Sequence, residues 1–150
     1  MYHNSLYPSC LEIGKVWPWW QLSKHKPQYT KKCSVILRLL TGNHAMNVRR
    51  HSPGASAFCQ ECMAMVGDTV SHMLWQCEGM SIVRNDTWRN IQYIAPPSLF
   101  QEIQRMNDDQ KTVLLLSGYG GYVHEWLPLF VHTADFITGM YNNKLECMNV

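Results

Sequence analysis

Apolar side chains recur at helical spacing over most of the chain. From Thr30 onward, Val35, Ile36, Leu39 and Leu40 fall on one face while Lys31 and Arg38 fall on the other, the pattern of an amphipathic helix. Thr30 can cap its start, and Gly42 can end it in the left-handed conformation. His44 to Arg50 reads as a second short helix, halted by Ser52-Pro53-Gly54. Asp68 or Thr69 caps a helix that reaches Trp75. The stretch 81–91 is amphipathic, with Ile82, Trp88 and Ile91 inward and Arg84 and Arg89 outward. Beyond Pro96-Pro97, residues 98–106 and 109–116 read as two helices joined at Asn107-Asp108. After Ser117-Gly118-Tyr119-Gly120-Gly121 a long helix is expected over 122–145, burying Trp126, Phe130, Ile137, Met140 and Tyr141. Pro128 should kink it or mark a restart.

Two stretches depart from the helical period. Residues 1–28 are irregular, and the proline within Trp17-Pro18-Trp19-Trp20 favours a packed loop or short strand over a helix. Residues 57–66 read as a short hairpin. The expected architecture is a mainly α, small helical domain with a zinc-knuckle β-hairpin. It forms one domain: a Trp/Pro/Lys-rich lead-in (1–28), a metal module (about 30–91) and a helical tail (97–146).

The hairpin carries the candidate chemistry. Cys59, Cys62, His72 and Cys77 follow the spacing Cys-x2-Cys-x9-His-x4-Cys. Three thiolates and one imidazole are a tetrahedral zinc set, and a closed shell leaves no position for a reactive water. The alternative is a pair of core thiols or a redox pair. On a continuous helix His72 and Cys77 would point about 140° apart, so the helix has to unwind before Cys77, and Glu78-Gly79 is suitable punctuation. Val70, Leu74 and Trp75 would pack beside the site.

Composition sets bounds. At 150 residues, 46% hydrophobic and 16% charged, the chain can build one core but not a polymerase with its own palm and fingers. The longest aliphatic run, Val113 to Leu116, is far short of a membrane span. No signal peptide is visible, which points to an intracellular location, nucleus or cytoplasm. Cys10, Cys33 and Cys147 then read as spare thiols, with a disulfide as the alternative.

Charge is unevenly distributed. Residues 1–60 hold eight Lys/Arg and one acid; residues 61–150 hold five Lys/Arg and ten acids. Between Lys24 and His51 lie seven basic residues and no acid. Such a stripe suits phosphate, or equally a solvated face or a partner for the acidic half.

Leu37-Arg38-Leu39-Leu40-Thr41-Gly42-Asn43-His44 upstream, Asp68-Thr69-Val70-Ser71-His72 with Cys77, and the later Arg84 together resemble the zinc-binding segment at the C-terminal end of non-LTR retrotransposon reverse transcriptases. The resemblance covers about residues 34–91. It implies a Cys-Cys-His-Cys zinc module that handles RNA or DNA beyond a polymerase domain. Met63 departs from the family, which often has glycine there. The function expected is non-specific nucleic-acid binding, with Lys31, Lys32, Arg38, Arg49 and Arg50 on phosphates. A zinc-stabilised protein-interaction module is the alternative, as is a degenerate element fragment.

No catalytic constellation is complete. Asp108-Asp109 lacks the aromatic-x dipeptide of a polymerase hairpin and is better read as helix capping. Asp109-Gln110-Lys111 matches half of a nuclease motif without an upstream Pro-Asp. The 117–121 loop has neither a preceding strand nor a following Lys-Ser/Thr. The chain is therefore expected not to be an enzyme.

Overall fold

The computed structural model describes residues 17–120 and 123–148; Cys10 and the rest of the lead-in before Trp17 lie outside the described residues. The order is α1 (Pro18–His25), a 3-10 turn (Pro27–Tyr29), α2 (Thr30–Thr41), α3 (Ala45–Arg50), a long loop, α4 (Val70–Trp75), a second 3-10 turn (Glu78–Met80), α5 (Ser81–Ile94), α6 (Pro97–Arg105), α7 (Asp108–Leu116) and α8 (Leu127–Cys147). The fold is mainly helical. No strand forms among the described residues: the expected hairpin is reduced to one antiparallel bridge between Phe58 and Gly67.

Local chemistry sets most boundaries. Gly42 ends α2 at φ 81°, where a side chain would strain. Thr69 caps α4 by accepting the His72 N–H. Asn107 and Gln110 form a reciprocal capping box at the start of α7, which accounts for the Asp108-Asp109 pair as first-turn residues. Pro128 restarts the chain: α8 begins at Leu127, with the proline in its first turn, where a missing N–H costs nothing. The same rule corrects the Trp-Pro-Trp-Trp expectation, because Pro18 opens α1 instead of preventing a helix.

The core is gathered around α8. Phe130, Phe136, Ile137 and Met140 are fully buried, at the spacing of one helix face. Trp19 of α1 stacks edge-on against Phe130 and donates its indole N–H to the Leu116 carbonyl at 2.9 Å. Pro18 presses on Gly118, which stands at φ 76° and has no room for a side chain. Trp75, Trp88 and Phe136 form a ring cluster joining α4, α5 and α8. Trp75 also donates to Thr112 of α7. This cluster fixes α4, which carries His72 and leads two residues past its end to Cys77.

Two expectations on α5 are corrected. Ile82 is exposed, whereas Arg84 turns inward. Its guanidinium donates to the carbonyls of Leu74 (2.7 Å), Met73 (3.2 Å) and Cys77 (2.7 Å). The Met73 and Leu74 carbonyls are at the open C-terminal end of α4, Cys77 follows two residues past it, and a planar fork of donors reaches all three at once.

Candidate metal centre

The loop between α3 and α4 brings Cys59 and Cys62 against α4. Cys59 is anchored by its N–H to the Val66 carbonyl, beside the lone bridge. The turn takes its positive φ at Met65 (56°), not at Met63, and Met63 projects 97% exposed into solvent. A glycine is therefore not needed where Met63 stands. After Trp75 the helix opens: Cys77 is extended at φ −63°, ψ 120°, which redirects its sulfur toward His72 as the spacing argument requires.

The ligand atoms of Cys59, Cys62, His72 and Cys77 all lie within 4.8 Å of one another. The Cys59 and Cys77 sulfurs are 3.8 Å apart, and the Cys62 sulfur is 3.3 Å from His72 Nε2. A tetrahedral ion with sulfur at about 2.3 Å and nitrogen at about 2.0 Å separates its ligands by about 3.8 Å (S to S) and about 3.5 Å (S to N). A disulfide would hold two sulfurs near 2 Å, so Cys59 and Cys77 are ligand-spaced thiols. His72 Nδ1 lies 3.3 Å from Gln76 Oε1. Donation from Nδ1–H to that oxygen leaves the Nε2 lone pair facing Cys62, the tautomer a metal requires.

Cys59, His72 and Cys77 are buried, and Cys62 is half-buried. Burial, then the neighbouring Cys59, push the Cys77 thiol up to about 12. A cation at the centre of the cluster is what converts such thiols to thiolates. The donor set and its spacing thus fit a metal ion.

Around the ligands lies an ionic network. Glu61, between the two knuckle cysteines, accepts from Arg49 at 2.8 Å and from Lys144 at 2.6 Å. Asp68 meets Arg49 at 2.5 Å and Lys144 at 2.9 Å. The hydrogen bond to Glu61 is the main reason that the Arg49 guanidinium is held above its usual range. Burial would raise the Glu61 carboxyl, but Arg49 and Lys144 more than offset it and hold it below the usual range. Gly79 lies against this corner, and a Cβ there would stand 2.5 Å from the Glu61 carbonyl oxygen.

The five residues expected on phosphates divide. Lys31 and Arg38 are exposed on one face of α2, seven residues apart. Lys32 pairs with Asp135 of α8 at 2.5 Å and lies over the Tyr29 ring. Arg49 is held by Glu61 and Asp68, and Arg50 donates to the Asp68 carbonyl and to the Asn47 side chain. Arg49 and Arg50 thus fasten α3 to the metal loop, which is the intramolecular alternative for the basic stripe. His44 is also structural: its Nδ1 accepts the Asn47 N–H and caps α3.

Sequence reasoning missed Lys144, Glu61 and Asp68 as a unit. One signal was present. Lys144 falls on the apolar stripe of α8, four residues after Met140 and three after Tyr141, where a lysine needs buried anions.

Compared with family models, curated proteins and solved structures, the chain matches none. The functional reading rests on the geometry and the motif.

Proposed function

We propose that this chain is a zinc-organised accessory domain that binds nucleic acid, of the type found beyond the polymerase of non-LTR reverse transcriptases, with no catalysis of its own. The observation that carries the reading is the convergence of Cys59, Cys62, His72 and Cys77 at tetrahedral ligand spacing. Zinc there would tie the 59–62 knuckle to α4 and supply folding free energy. Purified chain should hold one zinc, and Cys59→Ser should lose both the metal and much of the fold. A metal-free parent, or a Cys59→Ser variant as stable as the parent, overturns this.

Support for the nucleic-acid part comes from Lys31 and Arg38, exposed on one face of α2, and Lys24, exposed at the end of α1. With three cations on phosphates, the log–log salt slope for duplex should be about −2.7. Changing Lys31 and Arg38 to Ala should weaken binding and flatten the slope, with zinc content unchanged. Binding that ignores salt contradicts the proposal.

A protein-interaction role is the second reading. It draws on Phe58, Met63 and Met65, three large apolar side chains exposed on the metal loop. Loss of partner binding in Met63→Ser, without salt dependence, would favour it.

A further inference from the structure

Lys144 is 0% exposed, close to the end of the last helix, and its ammonium has three negative or potentially negative neighbours. Glu61 Oε1 lies at 2.6 Å, Asp68 Oδ1 at 2.9 Å and Cys59 Sγ at 3.3 Å. Burial alone would favour the neutral amine. Glu61 and Asp68 meet the ammonium with two carboxylates instead. A lysine this buried is rare without a charge to meet, and α8 would otherwise bury another apolar residue here. Replacing a buried ion network by apolar groups is often neutral or stabilising, so fold stability alone does not account for the ammonium.

The charges around the ligands give the reason. Arg49, Arg50, Lys144 and Arg84 bring four positive charges to this corner, Arg50 through the Asp68 carbonyl at 2.9 Å and Arg84 through the Cys77 carbonyl at 2.7 Å; Glu61 and Asp68 bring two negative ones. Of the other nearby acids, Glu78 is exposed and Asp108 is paired with Lys111 at 2.9 Å. The balance of this corner is positive. Three thiolates and a neutral imidazole around a divalent ion carry one negative charge. The surround complements that centre, and Lys144 is the cation that touches a ligand sulfur.

We propose that Lys144 is a positioning residue of the metal centre. Its ammonium donates to the Cys59 sulfur at 3.3 Å and fastens the end of α8 to the knuckle, so that divalent-metal occupancy and docking of α8 are one linked equilibrium. This rests on the reading of the four ligands as a metal site. Outer hydrogen bonds of this kind tune metal affinity by about 10- to 100-fold, and linkage requires α8 to feel the metal in return.

The test uses the full chain, with Zn²⁺ measured by chelator competition and Co²⁺ as the spectroscopic probe. Three proteins are compared: parent, Lys144→Met, and Lys144→Met with Asp68→Asn. The double variant restores the balance of the carboxylates with Arg49 but not the contact to Cys59, and it is the form to measure if Lys144→Met fails to fold. Expected are a loss of Zn²⁺ affinity of about 10- to 100-fold in both variants, a shifted thiolate-to-cobalt charge-transfer band, and recovery of thermal midpoint but not of affinity in the double variant. Amide exchange over residues 140–147 should slow on metal addition in the parent and respond less in the variants. Parental affinity in both variants, or affinity regained together with stability in the double one, overturns the role of Lys144 alone. A parent that takes up no metal overturns it together with the site.

Discussion

Gly79→Ala separates two explanations of one small residue. Gly79 lies in a 3-10 turn, is exposed, and is not among the glycines at positive φ. Its backbone would therefore tolerate alanine, and on conformational entropy alone the change should stabilise the fold by about 0.4–1 kcal/mol. The structure predicts the opposite sign. A Cβ at this position meets the Glu61 carbonyl oxygen at 2.5 Å. An ordinary carbon–oxygen contact is about 3.3 Å, so the knuckle backbone has to retreat by about 0.8 Å, and overpacking of this kind costs about 1–3 kcal/mol. Metal sites tolerate about 0.2 Å in ligand distance, and Glu61 lies between two ligands. Most of the cost should therefore appear as metal affinity, with a loss of at least about tenfold, or about 1.4 kcal/mol. Chelator competition on parent and variant measures it, with urea unfolding at fixed free Zn²⁺ as the companion. A Gly79→Ala chain that binds Zn²⁺ as tightly as the parent and unfolds later would refute the packing argument.

Three further outcomes are expected. Arg84→Lys replaces a fork on three carbonyls by one ammonium; with about two charge-assisted bonds lost, stability should fall by about 3–6 kcal/mol, and a loss below about 0.5 kcal/mol in urea unfolding would contradict the role. His44 is held neutral, lowered to about 4 first by burial and then by Arg50. Since the unfolded chain takes up this proton near pH 6.5, the contribution is full above that pH and lost as pH falls toward 4, up to about 3 kcal/mol. Ring titration by NMR should give a midpoint near 4, and His44→Asn, which retains a capping side chain, should remove that part of the pH dependence. Among the described thiols in metal-loaded protein, exposed Cys147 should react with maleimide first and half-buried Cys62 next, while Cys33, raised to about 11 by burial, should wait for unfolding; early labelling of Cys33 would contradict the packing of α2.

Local rules made much of this legible. The cysteine and histidine spacing named the four residues whose donor atoms converge, and the angle between His72 and Cys77 required the helix to open where it does. Gly42 and Thr69 were readable because a cap depends on a few neighbouring residues; at α7 the capping was assigned to Asp108-Asp109, whereas Asn107 carries it. What failed depended on residues distant in sequence. Pro18 opens a helix because Trp19 can bury against Phe130 and Leu116, far along the chain. The hairpin shrank to one bridge because the knuckle cysteines face α4 and the turn bends at Met65. Arg84 was assigned to the surface by period, yet the open end of α4 supplies carbonyls that period alone does not reveal. Arg49 looked like a phosphate ligand until Glu61 and Asp68 came beside it.

The central claim is a closed tetrahedral centre on Cys59, Cys62, His72 and Cys77. X-ray absorption at the zinc edge of the purified, metal-loaded full chain tests it most directly. The account predicts one zinc per chain, three sulfurs at about 2.3 Å and one nitrogen at about 2.0 Å, with no coordinated water. A chain without bound metal, or a shell with fewer sulfurs and a light-atom solvent ligand, would contradict it.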